Sequence, residues 1–237
     1  KIEQNMILPF SDEEEKIYVA NLAKVNEELQ QLYDIEGSDK MQILKMLTRL
    51  RQLCLEPRLV YDNIDQPSSK LKACMELIKT MQENKQKVLL FSSFTSALDL
   101  IAEECQKAGI TYYMLTGSTN KEERRELVSR FQKDDTTLFL ISLKAGGTGL
   151  NLTSAENVIH YDPWWNVSAQ NQATDRAYRI GQKSNVQVFN LVMKDSVEEK
   201  IIEMQKRKKE LADMFVENNS GGLSQMSKED ILSLFTM

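Results

Sequence analysis

Short apolar segments that alternate with helical segments over residues 86–192 are the feature that most constrains how this chain can fold. Each apolar segment is four to seven residues long, which is typical of strands buried on both faces of a parallel sheet. The predicted strands are Val88–Phe91, Tyr112–Leu115, Thr137–Ile141, Val158–Tyr161 and Val186–Val192. Strands and helices that alternate in this way predict an α/β domain with a parallel sheet.

Predicted helices lie before, between and after these strands. Capping boxes at Ser11–Glu14 and Thr119–Glu122 mark two helix starts, and Gly109 marks the end of a helix. The helices are predicted over residues 11–33, 39–55, 70–82, 96–108, 119–131, 168–180, 196–215 and 227–235.

The order of these elements predicts three segments: helices at 1–67, the α/β domain at 68–194 and a helical extension at 195–237. The polar stretch at 217–225 is the predicted linker. Because the chain begins inside a polar stretch, Lys1–Gln4, we expect it to be a fragment of a longer protein.

Composition excludes several classes of protein. No apolar run approaches the roughly 20 residues that a transmembrane helix needs, so we expect no membrane partner. The three cysteines form no CxxC pair, which predicts buried, reduced thiols and an intracellular protein, in the cytoplasm or nucleoid of a prokaryote or the nucleus of a eukaryote. His160 is the only histidine and lies in a predicted strand, so a histidine metal site or a catalytic triad is nearly excluded.

The net charge of −5 argues weakly against binding to nucleic acid. However, residues 1–36 carry 3 basic and 9 acidic side chains and account for −6 of that charge. Residues 37–237 are therefore close to neutral, and a local basic surface is allowed on them.

A glycine-rich stretch, Ser142–Asn151, follows the third predicted strand. Three of the chain's nine glycines fall within four of its residues. Such density lets backbone amides approach a phosphate without obstruction by Cβ atoms. The stretch lacks the GxxxxGK[ST] spacing of a P-loop, and a plain tight turn explains the same glycines.

A second stretch, residues 172–182, carries two arginines at helical spacing. On a helix, Gln172, Arg176 and Arg179 share one face. Two guanidinium groups on one face suit the several oxygens of a phosphate. A solvated face with an ion pair between Asp175 and Arg179 is the alternative.

The only two tryptophans, Trp164 and Trp165, are adjacent at the end of a predicted strand. Both rings cannot easily point inward from neighbouring positions. We therefore expect one ring to pack in the core and the other to reach an interface.

Thr116–Ser118 leads into a helix that carries Arg124, Arg125 and Arg130. Residues 121–133 hold five basic and three acidic side chains. A helix N-terminus after a Gly/Ser turn favours an anion, although an exposed charged helix explains these residues almost as well.

Together these motifs resemble the second RecA-like lobe of superfamily-two helicases, and specifically of the Swi/Snf family of DNA-dependent ATPases. The segments that carry the resemblance are 87–94 for motif IV, 116–131 for the next conserved block, 142–155 for motif V and 172–182 for motif VI. The ending Arg179–Gln182 and the Trp165–Asn166 element are particular to Swi/Snf proteins among helicases. The resemblance covers about residues 40–235.

The resemblance implies an α/β, RecA-like three-layer domain with a mostly parallel sheet, flanked by N-terminal helices and a C-terminal helical extension. It implies that residues 68–194 are the second ATPase lobe of an ATP-dependent double-stranded DNA translocase or remodeller. ATP and Mg²⁺ would both be held mainly by an N-terminal RecA-like lobe outside this chain. Double-stranded DNA and that N-terminal lobe are the implied partners of a monomeric fragment.

The resemblance also implies roles for individual residues. The arginine fingers that meet the γ-phosphate would be Arg176 and Arg179, with Gln172 beside them. The other residues near ATP would be Gly149, Asn151 and Asp175. The residues on the DNA would be Ser92, Gly117, Ser142, Lys144 and Trp165.

The chain contains no Walker A lysine, and its only Asp-Glu sequence, within Asp12–Glu15, does not follow a buried strand as a Walker B element would. We therefore expect the chain alone to hydrolyse no ATP. Two other functions stay open at this point: an RNA helicase lobe with the same fold, and a non-catalytic interaction domain that retains a degenerate lobe.

Overall fold

The computed structural model describes residues 1–32, 40–146, 150–177, 181–214 and 227–236. Six strands in these ranges form a sheet in the order β1-β6-β5-β2-β4-β3. The strands are β1 (Ile2–Leu8), β2 (Val88–Ser92), β3 (Tyr112–Leu115), β4 (Leu138–Ser142), β5 (Asn157–His160) and β6 (Gln187–Met193). They run parallel, which confirms the predicted α/β architecture.

The central strands explain why the sheet forms where the sequence predicts it. Every residue of β2, β4 and β5 is buried, as expected for strands covered on both faces. β2 pairs in register with both neighbours: Ser92 lies opposite Ser142, and Phe91 lies opposite His160. The carboxyl ends of these three strands are therefore level with one another.

The first strand, β1, is the one that the sequence did not predict. Its side chains are mostly exposed, and it lies at the edge of the sheet beside β6. Ile2 N donates to Val186 O (2.9 Å) at one end, and Lys194 N donates to Leu8 O (2.8 Å) at the other. Main-chain hydrogen bonds thus hold a strand whose side chains carry no pattern of burial.

Eight α-helices lie in the described residues, and none of them is both long and apolar enough to cross a membrane. They are α1 (Asp12–Gln30), α2 (Lys40–Leu55), α3 (Ser69–Glu83), α4 (Thr95–Ala108), α5 (Lys121–Lys133), α6 (Val167–Thr174), α7 (Val197–Met214) and α8 (Lys228–Ser233). A short 3-10 turn at Pro57–Leu59 follows α2. The predicted linker at 217–225 lies outside the described residues.

Helix caps account for several of these boundaries. The capping box at the start of α1 is confirmed, because Glu14 N donates to Ser11 Oγ (3.3 Å) and Ser11 N donates to Glu14 Oε1 (3.4 Å). Gly109 ends α4 with a φ of 67°, in the left-handed region that favours glycine. The capping box predicted at Thr119 is wrong, because Asn120 caps α5 by accepting a hydrogen bond from Glu123 N (2.9 Å).

The chain divides into two compact units. Unit 1 comprises Lys1–Met6, Leu71–Trp164 and Ser168–Val192. Unit 2 comprises Ile7–Lys70, Trp165–Val167 and Met193–Met237. The helical segments that the sequence separated at 1–67 and 195–237 thus fall largely within one unit.

The three cysteines are buried and form no disulfide, as predicted. Cys54 lies on α2, Cys74 on α3 and Cys105 on α4, and each is 0 % exposed. Burial raises the pKa of the Cys105 thiol to about 12, with a smaller contribution from the Glu104 carboxylate. This thiol is therefore protonated at neutral pH.

Unit 2 contains a buried ion pair. Lys70 Nζ donates to both oxygens of the Glu198 carboxylate, at 2.6 and 2.8 Å, and both side chains are at most 1 % exposed. Met193 N also donates to Glu198 Oε1 (2.9 Å). Burial and the Glu198 carboxylate raise the pKa of the nearby Cys54 thiol far above its usual range. Because the Lys70 ammonium group and the Glu198 carboxylate are both buried away from water, each charge is stabilised by the other.

Replacing Glu198 by glutamine is expected to destabilise the chain by about 3–5 kcal/mol, because the Lys70 ammonium group then stays buried without a compensating charge. Urea-induced unfolding, followed by circular dichroism, measures the change. The matched control is Glu126→Gln, since the pair of Glu126 with Arg130 is more than half exposed on both sides. A midpoint for Glu198→Gln that matches this control would contradict the role of the buried pair.

Candidate functional site

The carboxyl edge of the sheet carries the candidate site. The level ends of β2, β4 and β5 bring the loops after them to this edge, and β3 pairs beside β4. The loops include Gly117 after β3, Lys144 after β4 and Asp162 after β5. Gly117 and Lys144 are exposed. Ligands of open α/β sheets bind at this edge, so the predicted residues lie where the topology favours a site.

A buried carboxylate, Asp162, holds the loop after β2 in place. Ser92 Oγ donates to Asp162 Oδ1 (2.6 Å), and Ser93 N donates to the same oxygen (3.1 Å). The Ser93 hydroxyl donates to Asp162 Oδ2. Ser92 and Asp162 are both 0 % exposed. The expectation that Ser92 contacts DNA therefore needs correction, because its hydroxyl is buried and already bonded.

The glycine-rich loop begins as a tight turn. Ala145 N and Gly146 N both donate to Ser142 O, each at 3.1 Å. A Cβ atom on Gly146 would lie 3.3 Å from Phe91 Cε1, so a larger residue would require the Phe91 ring to shift by a few tenths of an ångström. Of the two interpretations of this loop, the tight turn accounts for the glycine at 146.

The two predicted DNA contacts in this turn differ in exposure. Lys144 is exposed, whereas Ser142 is buried. The expectation that the Ser142 hydroxyl contacts DNA therefore needs correction, because this atom is buried. Gly149, predicted to approach ATP, lies outside the described residues.

The helix predicted over 168–180 ends at Thr174. Thr174 Oγ1 donates to Gln170 O (3.2 Å) and lies 3.0 Å from His160 Nε2. Ala177 N then donates to Thr174 O (3.1 Å), so the chain continues as a turn with three-residue spacing. A side chain tied to both the helix backbone and a strand residue gives a physical reason for the early end.

Because α6 ends at Thr174, most of the stretch 172–182 is not part of this helix. Gln172 and Asp175 are exposed, but the Arg176 side chain is only 7 % exposed. Gln172 and Arg176 therefore do not share one face of a continuous helix, as their spacing predicted, because α6 ends at Thr174 between them. Arg179 lies outside the described residues.

One backbone hydrogen bond brings two of the predicted ATP-contacting segments together. Leu152 N donates to Arg176 O (3.1 Å). Asn151 precedes Leu152, Asp175 precedes Arg176, and both preceding residues are exposed. Residues predicted from two separate motifs are thus neighbours at the surface.

A hydrogen-bond network of side-chain amides connects α6 to β6 and β1. Gln170 Nε2 donates to Asn190 Oδ1 (3.2 Å), and Trp164 N donates to Gln170 Oε1 (3.2 Å). Asn190 Nδ2 in turn donates to Glu3 Oε1 and Asn5 Oδ1, both at 3.0 Å. Sequence reasoning missed this network, although an asparagine inside the apolar strand β6 was a signal for it.

His160 is a buried strand residue, as its sequence context predicted. Its ring is 0 % exposed and lies between Phe91 (centroids 5.6 Å apart) and Trp164 (5.8 Å). Burial, with a smaller effect of the Lys1 charge, lowers the pKa of His160 to about 3. The imidazole is therefore neutral at physiological pH.

The two tryptophans have different environments. Trp164 is 5 % exposed and packs on His160 in unit 1. Trp165 is half-buried in unit 2, where Arg51 Cζ lies 5.6 Å from the centroid of its ring. One ring is thus in the core, as expected, and the other is paired with a cation.

The sequence matches the family model "Helicase conserved C-terminal domain" over residues 69–181. The putative ATP-dependent helicase/translocase YwqA of Bacillus subtilis is 35 % identical over 244 aligned residues, which cover all of this chain and 26 % of that protein. The chain spans about a quarter or less of the length of the curated relatives it matches.

Two solved structures from Sulfolobus solfataricus resemble the fold. The SWI2/SNF2 ATPase C-terminal domain superposes with a TM-score of 0.78 at 26 % identity, covering 98 % of this chain and 97 % of that domain. The SWI2/SNF2 ATPase core in complex with double-stranded DNA gives a TM-score of 0.80 at 30 % identity, covering 98 % of this chain and 49 % of that core.

The free energy of unfolding is expected to fall as the pH drops below about 6.5, because the unfolded chain then binds a proton on His160 that the folded chain does not accept. With a folded-state pKa of about 3, the loss is about 1.4 kcal/mol per pH unit from this group. The sole histidine makes the test direct: its ring signals in an NMR titration should not move between pH 8 and 5.

The urea-unfolded chain is the control for this titration, and its histidine should titrate near the ordinary value of about 6.5. A midpoint above pH 5 in the folded chain would disprove the buried, neutral state of His160.

Proposed function

The chain belongs to the Swi/Snf family of helicase-like ATPases, as the helicase C-terminal domain, and we propose that it is the second ATPase lobe of an ATP-dependent double-stranded DNA translocase or remodeller. The observation that carries the proposal is the similarity to the Sulfolobus core that was solved with double-stranded DNA. The chain corresponds to about half of that core. The first ATPase lobe of the same polypeptide would supply the other half.

ATP would bind between this lobe and the first, with Arg176 and Arg179 completing the site. Phosphoryl transfer spreads negative charge over the γ-phosphate oxygens, and an arginine that arrives from another lobe stabilises this charge. Asn151 and Asp175 would flank Arg176, in keeping with the Leu152–Arg176 hydrogen bond. Because Arg176 is 7 % exposed, its guanidinium would have to turn outward when the lobes close on ATP.

Mg²⁺ would be held mainly by the first lobe. No group of three or more His, Cys, Asp and Glu side chains suited to a metal occurs among the residues that the structure describes. The ion would neutralise phosphate charge in that lobe, and this chain would contribute guanidinium groups instead.

DNA would contact the exposed residues of the carboxyl edge. The Lys144 ammonium group and the backbone at Gly117 are accessible to a phosphate. In unit 2, Trp165, with Arg51 over its ring, would offer DNA a planar surface and a positive charge. Contacts of this kind read the DNA backbone and not the base sequence, which suits movement along a duplex.

Replacing Arg176 or Arg179 by alanine in the intact protein is expected to lower the turnover number of DNA-stimulated ATP hydrolysis by about 10³–10⁵-fold, because the transition-state charge loses its partner. The affinity for duplex DNA should change little. Phosphate release and fluorescence-anisotropy binding of a labelled duplex measure the two quantities.

Arg207→Ala is the control variant, since this exposed arginine on α7 pairs with Asp230 on α8 and belongs to none of the predicted motifs. Near-normal turnover of both finger variants would refute the assignment. Stimulation by double-stranded RNA as strong as by DNA would favour an RNA helicase lobe, and an inactive intact protein would favour an interaction domain.

This chain by itself is expected to hydrolyse no ATP, with or without duplex DNA, because it has no Walker A lysine. A phosphate-release assay at micromolar protein checks this. Mixing it with a separately expressed first lobe should restore turnover that depends on Arg179. Steady turnover by the chain alone would contradict the proposal that ATP hydrolysis requires the first lobe.

A further inference from the structure

The side-chain amide of Gln182 joins three backbone carbonyls from two separate segments. The two N–H groups of its Nε2 are shared among Thr153 O (2.8 Å), Ala155 O (2.9 Å) and Ala177 O (3.0 Å). Its Oε1 accepts a hydrogen bond from Ser184 N (3.1 Å). Both ends of the amide are therefore occupied, and its orientation is fixed.

The two segments that Gln182 joins are those that carry the proposed ATP contacts. Thr153 and Ala155 belong to the segment after Asn151, and Ala177 follows Arg176 directly. The bond from Leu152 N to Arg176 O holds the same segments at a second point. These two attachments restrict how far the two segments can move relative to each other.

The backbone at Gly181 allows Gln182 to reach back. Gly181 has a φ of 105°, a conformation that residues with a Cβ atom rarely adopt. A Cβ atom there would meet nothing within 4 Å, so the backbone conformation and not the available space requires glycine. The chain turns at this residue and returns its next side chain to Ala177.

We propose that Gln182 is a positioning residue for ATP hydrolysis: its amide locks the turn that carries Arg176 onto the segment that carries Asn151. This inference rests on the proposed function. It adds that the arginine is aimed by a neutral amide that touches neither ATP nor DNA. Glutamate is nearly isosteric but has no N–H donor and would put a carboxylate against three carbonyl oxygens.

The test uses the intact protein with Gln182→Glu. The turnover number of DNA-stimulated hydrolysis should fall about 10–100-fold, because a displacement of about 1 Å of a catalytic group has effects of this size. The KM for ATP and the Kd for duplex DNA should stay within about threefold, since the binding groups are intact. A merely structural role would shift the thermal midpoint without this separation of turnover from binding.

Gln132→Ala is the matched control. Gln132 Oε1 accepts hydrogen bonds from Ser154 N (3.0 Å) and Ser154 Oγ (2.5 Å), so it holds the same segment from α5 without touching the Arg176 turn. Its turnover number should stay within about threefold of the unaltered protein. An equal loss in Gln132→Ala and Gln182→Glu would overturn the proposal.

A second variant, Gly181→Ala, displaces Gln182 without changing its chemistry and should lower the turnover number in the same way. The effect of Gln182→Glu should also vanish when Arg176 is already alanine, because it acts through that arginine. If both finger variants keep normal turnover, the proposed function fails. If the finger variants are inactive and Gln182→Glu is normal, only this inference fails.

Discussion

The in-register pairing of β2 with β4 and β5 is the constraint on which the rest of the structure depends. Three buried strands that end at one level bring loops from distant parts of the sequence to a common edge. Parallel pairing alone would not suffice, because a shift of two residues would leave the loops at different heights. The position of every candidate residue in unit 1 follows from this alignment.

Uncharged polar side chains and one buried carboxylate fix the loops at that edge, while Gly117 and Lys144 remain at the surface. Asp162 holds the loop after β2, Gln170 supports α6, and Gln182 joins the segments beside it. Lys144 is left exposed. A group that orients a loop is satisfied internally, whereas the exposed Lys144 ammonium group is accessible to an anion.

The strand positions in the centre of the sheet could be predicted from the sequence, because short apolar runs carry a strong signal. β1 could not, since its strand state comes from main-chain pairing with β6 and not from its own side chains. The end of α6 was also out of reach, because it depends on the contact of Thr174 with His160, fourteen residues away in sequence.

The site was predicted in part. The resemblance selected Asn151, Asp175 and Arg176, and the fold brings these residues together. Helical periodicity placed Gln172 and Arg176 on one face, but in the fold Gln172 is exposed and Arg176 is buried. Gln182 was part of the pattern from the start, yet only its three carbonyl partners give it a role.

The edge strand β1 has a practical consequence for preparing this lobe. All but one residue of β6 are buried, and β1 occupies its outer hydrogen-bonding edge. A truncated protein that starts at Ser11 would leave that apolar strand with unsatisfied amides and carbonyls. Open edges of this kind recruit strands from other copies, so removal of the first eight residues would expose β6 to such pairing.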